Sequence, residues 1–163
     1  MDSSAKKLIL GEELIPLIRE RLASGQTVRY LPFRGVSMLP MLRQGIDAVE
    51  LSPLPERLKK YDLPVYQYPS GKVVMHRVVD ITAEHYVCLG DNTYSYEYLT
   101  HDQMIGLVSA FKRGKKRIEV TDPVYQLYAR IWVALYPVRK PLVRLKQKTF
   151  AFLRKLGFRR FWK

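Results

Sequence analysis

Gly35-Val36-Ser37-Met38-Leu39-Pro40-Met41-Leu42 is a glycine-opened turn that presents a serine just ahead of a short apolar run. Two later segments give it meaning: Met75-His76-Arg77-Val78-Val79 and Leu89-Gly90-Asp91-Asn92. A serine, a histidine and acidic residues follow one another along the chain. A serine hydroxyl is a weak nucleophile at neutral pH and needs a base to remove its proton during attack. Histidine, with a reference pKa of about 6.5, can accept that proton and later return it to a leaving amine. The chain has three histidines. His85 leads into an apolar run and His101 sits beside Asp102 in a polar loop. By chemistry alone each of the three is equally at home as a solvated imidazole.

Around these segments the pattern is that of a β domain. Val28 to Phe33 alternates and delivers the chain to the Gly35 turn. Asp47 to Leu51, Leu63 to Tyr68, Lys72 to Ile81, His85 to Leu89 and Gln103 to Phe111 read as further strands, with Ile118 to Val120 as a brief addition. Pro53, Pro55 and Pro69-Ser70-Gly71 punctuate them, proline by fixing φ and glycine by supplying a positive one. Many short strands between such breaks predict a mainly β, twisted and partly closed domain over residues 27–121. Ahead of it, residues 9–24 read as an amphipathic helix, with Leu10, Leu14, Leu17, Ile18 and Leu22 on one stripe and Gly25 closing it. This helix defines an N-terminal segment, residues 1–26. After the β domain, Asp122 as N-cap and Pro123 at the first helical position open a helical tail, residues 122–163. Val124, Leu127, Tyr128, Ile131 and Leu135 form its first stripe. Pro137 interrupts it, and a second, basic helix follows.

Taken together, the three segments resemble the nucleophile, base and final boxes of the signal peptidase I superfamily, which includes the LexA-type self-cleaving repressors. The G-x-S-M-x-P-x-L pattern is similar to the nucleophile box. H-R-V-V is similar to the box that carries the base, and G-D-N followed by Ile105 to Val108 to the last box. A histidine base at His76 resembles the endoplasmic reticulum and archaeal branch rather than the lysine-based bacterial enzymes. The resemblance covers roughly residues 27–110. It implies the signal-peptidase/LexA type of β fold and a serine endopeptidase that removes a leader or signal segment from a peptide or preprotein. Ser37 is then the nucleophile and His76 the base. Either Asp91 or Glu97, six residues further on, orients the imidazole. The Ser37 backbone N–H stabilises the oxyanion. Gly35 occupies the position where some relatives add a hydroxyl, and its own task is to permit the turn. Neither a cofactor nor a metal is implied. The other reading is a non-catalytic binding or regulatory protein on the same fold.

Charge divides the chain sharply. Residues 112–163 carry 16 Lys/Arg against 2 Asp/Glu, whereas residues 1–111 carry 12 against 13. The net +13 is thus a property of the tail. A basic, aromatic-rich amphipathic tail suits an anionic membrane surface, engaged through residues 123–163, with nucleic acid as the rival partner. No secretory signal peptide and no run long enough to span a bilayer is visible, so a peripheral membrane or cytoplasmic location is expected. The single cysteine, Cys88, excludes an intrachain disulfide and reads as a small buried apolar residue. Because every family-like box precedes Asp122, a chain ending there is expected to fold and keep its site.

Overall fold

The computed structural model describes residues 14–32 and 35–155, with side chains for residues 14–29, 35–145 and 148–149. Leu10, Phe33, Leu156, Phe158, Phe161 and Trp162, together with the side chains of Phe150, Phe152 and Leu153, lie outside what is described. The element order is α1 (Ile15–Ala23), β1 (Val28–Pro32), β2 (Ala48–Ser52), β3 (Pro64–Gln67), β4 (Val73–Met75), β5 (Arg77–Ile81), β6 (Tyr86–Leu89), β7 (Glu97–Leu99), β8 (Met104–Arg113), β9 (Lys116–Glu119), α2 (Pro123–Ala134) and α3 (Tyr136–Lys155).

The molecule is mainly β, as its punctuation by proline and glycine implies. The described strands form two antiparallel sheets and no closed barrel. The larger runs β1-β2-β8-β3-β4, with β9 paired to β8; the smaller runs β5-β6-β7. The long strand β8 organises the larger sheet, pairing with β2, β3 and β9. Its buried residues Ile105, Val108 and Phe111 join Met38, Leu42, Val49, Leu51 and Leu63 in the main core. Helix α1 covers this core by burying Ile18 and Leu22, whereas Leu17 faces solvent. Burying two such side chains contributes about 1.5–3 kcal/mol each. The helix comes close because residue 106 is glycine: a Cβ there would lie 2.6 Å from Leu22 Cδ1.

One expected strand is in fact two. Lys72 to Ile81 breaks at His76, and the chain passes from the larger sheet (β4) to the smaller (β5) at that residue. The run of β-branched residues on both sides of His76 hides the break, because each half is a good strand. A second departure is β7, which the turn-like spacing of residues 90–96 conceals.

The tail is not a separable appendage. Asp122 caps α2 as its sequence predicts, accepting from the amides of Val124 at 2.8 Å and Tyr125 at 3.2 Å. Tyr125 is then buried against Phe111, with ring centroids 5.2 Å apart. Its hydroxyl accepts a hydrogen bond from Arg77 Nη1 at 2.8 Å. Tyr136 donates to the Tyr94 carbonyl at 2.7 Å. A chain ending at Asp122 would lose all of these partners. The tail helices thus cover part of the β domain that carries the Ser37 and His76 segments.

Candidate active site

The geometry builds outward from the crossing at His76. This side chain is buried, at 5 % exposure, between the two sheets. Its Nδ1 lies 2.7 Å from Glu97 Oε2, delivered by β7 of the smaller sheet. Tyr66, from β3 of the larger sheet, places its hydroxyl 2.9 Å from the same ring nitrogen and donates to the same Glu97 oxygen. An ionised carboxylate only accepts hydrogen bonds, so it takes one from Tyr66 O–H and one from His76 Nδ1–H. With Nδ1 turned to the carboxylate, Nε2 is the ring nitrogen left facing away from Glu97.

Burial alone would raise the Glu97 carboxyl, but hydrogen bonds from His76, Tyr66 and Tyr68 outweigh it and hold the group below its ordinary value. The Tyr66 hydroxyl is pushed far up by burial and by the adjacent Glu97, so it remains a donor. A carboxyl whose folded pKa is depressed adds stability above its unfolded value, about 4.3, and that stability is lost as pH falls through the folded value. Glu97→Gln should therefore remove a stabilisation seen at neutral pH and absent in acid. Denaturation of both proteins across acid and neutral pH checks this; equal stability of the two at neutral pH would contradict it.

His76 Nε2 is buried and has no hydrogen-bond partner among the described residues. It faces a corner made by the other two boxes. A Cβ built on Gly90 would lie 2.9 Å from Nε2, 2.9 Å from the Ser37 carbonyl oxygen and 2.9 Å from Thr93 Cγ2. Nε2 and the Ser37 backbone therefore lie at most twice 2.9 Å apart, either side of the one residue without a side chain. Gly90→Ala should cost about 1–3 kcal/mol by overpacking and should disable the corner, because two of the three neighbours are a backbone oxygen and a confined ring. A thermal melt and activity assay of Gly90→Ala read both effects, and wild-type values in the two would show that the corner is not close-packed.

The serine itself sits half-buried on a turn anchored from beneath. Met38, Met41 and Leu42 are buried, and Leu42 N–H bonds to the Met38 carbonyl at 2.9 Å. Gly35 takes φ +99°, a conformation that favours glycine, as the turn reading requires. Its N–H donates to Gln44 Oε1 at 3.0 Å. Asn92 then fastens the turn to the final box. Its backbone N–H donates to the Ser37 carbonyl at 2.6 Å, and its side-chain amide to the Val36 carbonyl at 3.0 Å.

Of the two acids proposed as orienting groups, Glu97 touches His76 and Asp91 does not contact it through any described hydrogen bond. Asp91 is 3 % exposed and meets Arg77, which is fully buried, through two bonds: Nε to Oδ1 at 3.0 Å and Nη2 to Oδ2 at 2.8 Å. Burial would lower the Arg77 guanidinium, but Asp91 beside it raises it, so the charge persists. The Asp91 carbonyl accepts from Trp132 Nε1 at 3.2 Å and from Arg139 Nη1 at 2.7 Å. The three residues of the final box thus divide the work. Gly90 makes room for the ring, Asp91 anchors the loop to Arg77 and the tail, and Asn92 clamps the Ser37 turn.

His85 and His101 lie elsewhere. His85 is 39 % exposed beside Glu84, and His101 Nδ1 is 3.4 Å from the Tyr86 hydroxyl. Cys88 is buried in the second core cluster, and burial with the nearby Glu97 pushes its thiol up to about 12, which leaves it inert. Among the described residues no cluster of His, Cys, Asp and Glu is arranged to hold a metal ion. Sequence reasoning missed Tyr66, Arg77, Trp132 and Arg139. The arginine in H-R-V-V was visible as a charge in an apolar strand, which signals a buried partner; the tyrosine and the tail residues carried no comparable signal. No family model, curated protein or solved structure matches the chain.

Proposed function

We propose that the protein is a serine endopeptidase similar to signal peptidase I, with Ser37 as nucleophile, His76 as base and Glu97 as the group that orients the base. The observation that carries this reading is the buried, unpartnered Nε2 of His76, turned towards the Ser37 turn across Gly90 while Nδ1 is held by Glu97. A buried polar atom without a partner costs free energy, and such atoms concentrate where a reaction uses them.

In the proposed reaction Ser37 Oγ attacks the scissile carbonyl carbon as Nε2 removes its proton. Catalytic hydrogen bonds of this kind often form only when substrate is bound. The Ser37 N–H faces the developing oxyanion. The imidazolium, stabilised by the Glu97 carboxylate, protonates the leaving amine, and an ester to Ser37 remains. Water then attacks the ester, giving its proton to Nε2, and the carboxyl product leaves as Ser37 Oγ regains a proton. The substrate class suggested by the resemblance is a leader or signal segment, bound in extended form along a sheet edge.

Incubating the full chain with a pool of extended peptides bearing small residues, and reading products by mass spectrometry, tests the activity. Cleavage that is absent with Ser37→Ala supports the reading. Equal cleavage by both proteins would assign the activity to something other than Ser37. The fold type implied by the same resemblance fits two antiparallel sheets with a helix before them and helices after.

A further inference from the structure

We infer that α2 and α3 form a docking face for an anionic lipid bilayer, lying in its surface and carrying the Ser37–His76 corner at a fixed height above it. Val124, Leu127, Ile131, Leu135, Val138, Leu142 and Leu145 are 45–77 % exposed. Spacings of three or four residues put Val124, Leu127 and Ile131 on one stripe of α2 and Val138, Leu142 and Leu145 on one stripe of α3. Aliphatic stripes of this kind, left open by a folded domain, mark an interaction surface.

Charge and side-chain chemistry identify what it meets. Residues 123–163 contain no Asp or Glu. Arg130, Arg144 and Lys148 are exposed on the same two helices, whereas Lys140 lies over the Tyr96 and Tyr136 rings. Aliphatic residues enter the acyl boundary while such cations meet anionic headgroups. No described helix is long and apolar enough to cross a membrane, so the element lies along the surface rather than through it. A second copy of the chain fits poorly, because two such basic faces repel. Single-stranded nucleic acid fits poorly too, because it needs aromatic platforms for its bases. The described tail aromatics are used inward: Tyr125 and Tyr136 are buried, and the Trp132 ring lies between Tyr128 at 5.6 Å and the Arg139 guanidinium at 4.0 Å.

The inward face fixes the orientation. Trp132 and Arg139 both donate to the Asp91 carbonyl, and Tyr136 to that of Tyr94. Docked helices therefore hold the loop that contains Gly90 and Asn92. The importance of that height rests on the peptidase reading; the docking itself does not.

The test uses the full chain with vesicles of phosphatidylcholine alone and of phosphatidylcholine mixed with phosphatidylglycerol. Wild type should co-sediment with the mixed vesicles and far less with the neutral ones. Ile131→Glu and Leu142→Glu should each weaken binding by about tenfold or more. Both positions are exposed, so melting temperature without vesicles should be unchanged. On vesicles, amide exchange at Asn92 and Thr93 should slow in wild type and not in Ile131→Glu. Undiminished vesicle binding by the two glutamate variants would overturn the inference. So would a concentration-dependent dimer abolished by the same variants, or an oligonucleotide bound more tightly than the vesicles. Vesicle binding without peptide cleavage would leave the docking face standing and count against the peptidase reading.

Discussion

Replacing Ser37 by alanine is expected to reduce peptide cleavage by about 10⁴–10⁶-fold, with His76→Ala equally damaging and the double variant little worse than either. In the proposed reaction the two side chains perform one step: Oγ attacks as Nε2 takes its proton. Removing one partner already abolishes that step, and removing the second leaves nothing further to lose. The fold should survive both changes. Ser37 is half-buried on a turn held by Asn92 and by the buried Met38 and Leu42, none of which uses the hydroxyl. His85→Ala and His101→Ala should be mild, because both rings lie away from the corner. Single-turnover kinetics and far-ultraviolet dichroism on the wild type and the five variants decide this. Additive losses in the double variant would mean that Ser37 and His76 act separately, and a large loss in His101→Ala alone would place the base elsewhere.

Asp91→Ala is expected to have the largest effect on stability, a loss of about 3–5 kcal/mol. The substitution leaves Arg77, fully buried, as an uncompensated charge. The remaining partners of that guanidinium are the Tyr125 hydroxyl, Met41 Sδ and a long contact to the Tyr61 carbonyl, none of which carries a formal negative charge. The pair is expensive to break rather than intrinsically stabilising, since both ions are taken out of water. Replacing both at once with Arg77→Met and Asp91→Leu should therefore cost less than Asp91→Ala alone. Denaturant midpoints for the three proteins read the difference. A single variant no less stable than wild type would mean that water reaches Arg77 and solvates it.

Both expectations depend on contacts that the sequence disclosed unevenly. Ser37, His76 and the Gly90–Asn92 box were legible because each needs a particular residue type at a particular turn or strand end. The mainly β class, the helix before it and the capped helix after it were legible through period and punctuation. The break at His76 was not, because Val73 to Met75 and Arg77 to Ile81 are equally good strands. Only tertiary pairing, with β3 on one side and β6 on the other, separates them. The role of Asp91 was left open between two carboxylates. What decides it is Arg77, whose side chain turns away from His76 to the side where Tyr125 also arrives, 48 residues along the chain. For the same reason the packing of the tail was not legible: no local pattern announces that Trp132 and Arg139 reach back to the carbonyl of Asp91. The tail stripe was legible as amphipathic. Its inward aromatics and outward aliphatics became distinct only once the helices were set against the β domain.

Activation of Ser37 as a nucleophile can be tested without knowledge of the natural substrate, by treating the folded full chain with a serine-directed phosphonate and mapping the adduct by mass spectrometry. One adduct is expected, on the peptide containing Ser37, absent in Ser37→Ala and strongly reduced in His76→Ala. A wild-type protein that takes up no phosphonate, or one labelled at Ser37 as fast without His76 as with it, would rule out a Ser37 activated by His76.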